Sequence, residues 1–126
     1  TMELHDFLNR LKTEPETVAF ADTMAVIDAN YVYSPSAFSN GTLQNDAGQN
    51  EGSCKIFAFA QLNRLSETQT LHCFGDYYRN EVLRHPDDDN HQNIRQFMQS
   101  GWSGISFAQF PLTETVDEEL RSNDGC

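Results

Sequence analysis

Gly52-Ser53-Cys54-Lys55-Ile56-Phe57-Ala58-Phe59-Ala60-Gln61-Leu62 follows a run of glycines and amides from Asn40 to Glu51 and turns it into an apolar helical stretch. Ile56, Phe57, Phe59, Ala60 and Leu62 supply the buried side of that helix, and Ser53 is placed to cap it. The first turn of a helix leaves backbone N–H groups unpaired, and these face whatever fills the adjoining loop. Such an end attracts anions and lowers the pKa of a cysteine set on it, so Cys54 and Lys55 stand where binding or thiolate chemistry costs little.

Working toward the N-terminus, Leu4, Phe7, Leu8 and Leu11 recur at helical spacing and predict an amphipathic helix over residues 3 to 12, which Pro15 ends. Thr17 to Phe20 alternates like a short strand, and Asp22 or Thr23 then caps a helix bearing Met24, Val26 and Ile27. Asp28 and Asn30 end that helix, and the aromatic stretch from Tyr31 to Phe38, with Pro35 inside it, reads as an edge strand.

Toward the C-terminus, the quoted helix stops near Leu65 and Ser66 caps the next one. Residues 67 to 84 place Leu71, Phe74, Tyr78, Val82 and Leu83 on one side of a single helix, with Gly75 its weak point. Pro86 ends it, the acidic run Asp87 to Asn90 offers caps for a helix containing Ile94, Phe97 and Met98, and Gly101 closes that helix. Ile105 to Phe110 reads as a last strand before Pro111. The expected fold is α+β, a helix-dominated single domain with a small antiparallel sheet of two or three strands drawn from segments near 17–20, 31–38 and 104–110. That domain spans residues 1–112, and residues 113–126 form an acidic, loose tail.

A chain of 126 residues with 38% hydrophobic content suits one domain with a working core. Its formal charge of −11 repels a phosphate backbone and argues against nucleic acid as a partner. No apolar run has the length of a membrane span, and the first residues lack the pattern of a Sec-type signal. Cys54, Cys73 and Cys126 are an odd number without paired short spacing, which fits neither a disulfide framework nor zinc and suits a reducing cytoplasm. Cys73 falls in an apolar pattern and reads as a small buried hydrophobe. His85, Asp87, Asp88, Asp89 and His91 lack the alternating layout of a calcium loop, so no metal or other cofactor is indicated.

Two chemistries compete for the Asn40–Lys55 junction. In the first, Cys54 is a nucleophile, Gln49 lends an oxyanion donor, His91 (or His72 or His85) is the base and Asn93 orients it; the bland counterpart is a structural cysteine near a cap. In the second, Asn40, Asn45, Gln49, Asn50, Ser53 and Lys55 line a pocket for a small polar or anionic ligand, with His91 and Asn93 as its opposite wall. The counterpart here is that the amides only hold their own loop in shape. Trp102, the sole tryptophan, reads as core rather than as a stacking platform.

Four blocks carry a resemblance to a known family: Asp22-Thr23-Met24-Ala25-Val26-Ile27-Asp28-Ala29-Asn30-Tyr31; Ala47-Gly48-Gln49-Asn50 with Gly52-Ser53-Cys54-Lys55; Cys73-Phe74-Gly75 with Tyr78-Arg79; and His91-Gln92-Asn93-Ile94-Arg95 with Gly101-Trp102. Together they resemble the HopJ type III effector protein family from about Leu4 to about Phe110. The resemblance implies a secreted effector acting on a host or cellular protein partner, and it implies no defined reaction. Three function classes therefore stand side by side: an interaction protein, a cytoplasmic small-ligand binder, and a thiol enzyme at Cys54.

Overall fold

The protein, described by a computed structural model over residues 2–115, begins with helix α1, Leu4–Thr13. Its apolar spacing buries Phe7 and Leu11, and Phe7 meets Phe59 edge-on at 5.8 Å. The chain then makes a 3-10 turn at Pro15–Thr17 and enters helix α2, Phe20–Asn30. The strand expected over Thr17 to Phe20 does not form. Val18 is instead buried, and the Arg79 guanidinium donates to the carbonyls of Pro15 and Val18, consuming backbone acceptors that a sheet would need. Nor does Asp22 or Thr23 cap α2; Ala19 precedes the helix and its N–H donates to Asp22 Oδ2 at 3.1 Å from the first turn.

Among the described residues, five three-residue strands form two small antiparallel sheets: β1, Tyr31–Tyr33, pairs with β5, Leu112–Glu114, while β2, Phe38–Asn40, lies between β3, Leu43–Asn45, and β4, Ile105–Phe107. The expected single strand over Tyr31 to Phe38 is thus two strands in different sheets, parted at Pro35, which has no N–H to donate. The last expected strand is likewise cut at Phe107, and β5 extends into the acidic segment expected to be loose; residues 116–126 lie outside the described residues. Gly41 makes the β2–β3 hairpin possible by taking φ +59° at the turn, so the glycine and amide run is in part a hairpin.

Helix α3, Glu51–Leu62, crosses the middle of the molecule with Ile56, Phe57, Ala58, Phe59 and Ala60 at 0% exposure. A helical stretch apolar on every side, as from Ile56 to Ala60, must be covered on every side. Phe57 meets the rings of Phe38, Phe74, Phe97 and Trp102, the shortest being Phe97 at 4.9 Å. Truncating such a hub to alanine removes roughly 3–5 kcal/mol. Trp102 accordingly packs against the core, and its indole N–H donates to Leu65 O at 3.3 Å.

Helix α4, Glu67–His72, is capped at Ser66 as expected, but it does not continue to residue 84. At Gly75 the backbone turns to φ +61°, and a Cβ there would stand 2.6 Å from the N atom of Phe20. The close approach of α2 therefore requires glycine and breaks the helix, which resumes as a π-helical turn over Tyr77–Val82. Helix α5, Gln92–Ser100, ends at Gly101, φ +61°. No helix among the described residues is long and apolar enough to cross a membrane.

Candidate functional site

Ser53 does not cap α3. The helix starts three residues earlier at Asn50, which sits in the left-handed region at φ 51°, ψ 48° and makes no side-chain cap. Its amide is turned back instead, Nδ2 donating to Asn45 Oδ1 at 2.7 Å. Helical bonding begins with Cys54 N donating to Asn50 O at 3.0 Å, so the first-turn N–H groups, Gly52 and Ser53 among them, have no partner among the described residues.

Helix α5 starts in the same way. His91, at φ 52°, ψ 49°, precedes it without a side-chain cap, and the aspartates 87 to 89 do not serve. Arg95 draws that loop onto itself by donating to the carbonyls of His85, Pro86 and Asn90. Two non-glycine residues in the left-handed conformation, each costing order 1 kcal/mol or more, open two helices toward one place.

That place is a cavity of about 630 Å³, lined by Asn45, Asn50, Gly52, Ser53, His91, Asn93 and, from other elements, by Phe20, Phe74 and Tyr77. Beneath it lies an amide cluster. Asn45 Nδ2 donates to Asn93 Oδ1 at 3.2 Å and Asn93 Nδ2 returns a bond to Asn45 Oδ1 at 3.0 Å, while Asn40, fully buried behind them, donates to Asn93 O at 2.8 Å. These reciprocal bonds tie the hairpin to α5 across some fifty positions of sequence and so hold the two helix ends in register. On the far side, His91 Nε2 lies 2.8 Å from Glu81 Oε1, and the His91 ring packs against Tyr77 at 5.1 Å.

Of the residues singled out from sequence, Asn45, Asn50, Ser53, His91 and Asn93 line this cavity; Asn40 supports it from behind. Three others lie apart from it. Lys55 faces away, its Nζ 3.1 Å from Asp28 Oδ1 and 4.9 Å above the Tyr33 ring. Gln49 accepts from Asp46 N at 3.3 Å and so ties the exposed loop to itself.

Cys54 is 1% exposed, its thiol donating to Ser36 O at 3.9 Å, and it is absent from the cavity wall that His91 occupies. Burial pushes that thiol above its ordinary pKa. The position suits a packed cysteine and works against the thiolate that a nucleophile requires, because the third-to-fourth helical residue points inward here rather than at the helix mouth. The structure therefore does not bring Cys54 and His91 together on the cavity wall.

Phe20, Phe74, Tyr77 and Glu81 were not singled out as site residues. Phe20 falls at the end of the expected Thr17–Phe20 strand and Phe74 on the apolar side of the expected 67–84 helix; only the break at Gly75, which brings α2 against the π-helical turn, turns these rings and Tyr77 to one cavity.

The family model described as HopJ type III effector protein matches residues 4–112 of this chain. Among solved structures, the crystal structure of a protein of unknown function, VPA0580, is similar to it with a TM-score of 0.90 at 54% sequence identity, covering 91% of this chain and 96% of that one. No protein with a curated description matches the chain.

Proposed function

Because the chain belongs to the HopJ type III effector protein family, described by an effector role rather than by a reaction, we propose that it acts by binding a small polar or anionic molecule in the cavity between α3 and α5. The observation that carries this reading is the convergence of two uncapped helix ends on one hollow. Helix α3 has 12 residues and α5 has 9, long enough for each to present partial positive charge at its first turn. A volume of about 630 Å³ falls within the range of small-molecule sites. Apolar rings opposite polar groups give a ligand both area to bury and groups to orient it.

The test is an amide-resolved NMR titration of the chain with a panel of metabolites and simple anions. Shifts at Gly52, Ser53 and Asn93 from at least one compound are the expected outcome; unchanged resonances there across the panel overturn the reading.

A second reading, delivery into a host cell and contact with a protein there, is favoured by the family description alone. A translocation reporter fused to the full-length protein tests it: reporter signal in the recipient cell supports delivery, and its absence under conditions that export a known effector rejects it.

A further inference from the structure

We propose that the ligand of the α3–α5 cavity is an aromatic monoanion, its ring against Tyr77 and Phe74 and its charged group at His91; this rests on the reading of the cavity as a binding site. The first support is charge. Among the described residues no lysine or arginine lines the cavity, and His91 is the one lining side chain there that can carry positive charge. Lys55 is held by Asp28, and Arg95 is spent on loop carbonyls. Glu81 already stands against one nitrogen of His91. In a chain of net charge −11, a triphosphate or other polyanion meets only the partial charge of two helix ends and one cationic group shared with a carboxylate, too little to offset several negative charges.

The second support is the shape of the wall. Phe20 and Tyr77 meet edge-on at 5.1 Å, Tyr77 continues to His91 at 5.1 Å, and Phe74 closes the inner side. Tyr77 remains 40% exposed although it belongs to this chain of rings, leaving aromatic surface open to the cavity. A planar ring gains from such offset and edge-on partners beyond the area it buries. The third support is the set of polar groups left open. Asn45 and Asn93 bond each other, which leaves the second nitrogen of His91, the Ser53 hydroxyl, the Gln44 amide and the bare amides of Gly52 and Ser53, groups that together suit a single carboxylate.

Isothermal titration calorimetry of the full chain with benzoate, benzamide, acetate, inorganic phosphate and ATP tests this, beside the Tyr77→Ala and His91→Asn variants. Asparagine is chosen because it tolerates the left-handed backbone that His91 adopts. Benzoate is expected to bind, benzamide and acetate at least about tenfold more weakly, and each variant to lose about tenfold for benzoate while its circular dichroism and melting temperature stay close to wild type. If benzoate is silent while phosphate, ATP or a metabolite of the NMR panel binds, this inference falls and the cavity reading stands. Silence of every compound in both experiments overturns both. Benzoate binding that neither variant weakens also overturns the inference, since the ring and charge would then lie elsewhere.

Discussion

The start of α4 and the starts of α3 and α5 solve the same problem in opposite ways. At α4, Ser66 Oγ accepts from Gln69 N at 3.1 Å and Gln69 Oε1 accepts from Ser66 N at 2.9 Å, so the helix end is closed by its own side chains. At α3 and α5, Asn50 and His91 adopt a left-handed backbone, turn their side chains away and leave the first-turn amides bare. The closed end is exposed, and the two bare ends share a cavity.

The largest way to break this contrast is to move the aromatic wall. Gly75→Ala places a methyl 2.6 Å from Phe20 N on a backbone at φ +61°, and it is expected to lower the unfolding free energy by about 3 kcal/mol in a urea titration. A loss below about 1 kcal/mol would mean that α2 does not depend on the glycine for its approach.

Removing the brace between the two open ends comes next. Asn93→Ala deprives Asn40 and Asn45 of their shared acceptor and is expected to cost about 2 kcal/mol, with faster hydrogen exchange at the start of α5. Unchanged exchange there would remove the amide cluster as the element that sets the two ends.

The contrast itself is sharpened by a pair of serines. Ser66→Ala is expected to cost about 1 kcal/mol, because a working cap is lost, whereas Ser53→Ala should stay within about 0.5 kcal/mol because its hydroxyl caps nothing. Equal losses in thermal melts of the two variants would contradict the different treatment of these ends.

The smallest effect lies at the other end of α4. Burial, followed by the nearby Arg79, lowers the pKa of His72 below its ordinary 6.5, with Glu16 opposing. Arg79 Nη1 lies 3.2 Å from His72 Nδ1, an arrangement that favours the neutral ring. The unfolded chain therefore takes up a proton near pH 6.5 that the folded chain refuses, and stability falls as the pH drops below that value until the folded pKa is passed. The stability advantage of wild type over His72→Gln should narrow between pH 7.5 and about 5.5 in denaturant titrations. An advantage that stays constant over that interval would show that His72 is not held neutral.

Helices α1 and α4 were legible at their starts because each advertises itself within a few residues, whereas the break at Gly75 was not. Leu4, Phe7, Leu8 and Leu11 share one face of α1 whatever surrounds it, and Ser66 with Gln69 spells a capping box in four letters. The strands were not, since three-residue strands carry too short an alternation to read, and Pro35 parts two of them into different sheets. The polar residues of the cavity stood out as amides clustered in sequence, yet Phe20, Phe74 and Tyr77 looked like any core or helix aromatic. Their common direction depends on where α2 meets the break at Gly75, a contact between residues more than fifty positions apart.

By itself, then, the sequence determined a helix-rich α+β domain, the family and several polar residues of the cavity, because periodicity, caps and clustered amides are local properties of the chain. Tertiary structure alone decided which helix ends stay open, that Cys54 points into the core and that Lys55 turns away to Asp28. Those outcomes follow from which surfaces are left uncovered once every apolar side chain has found a partner, and that is a property of the packed whole.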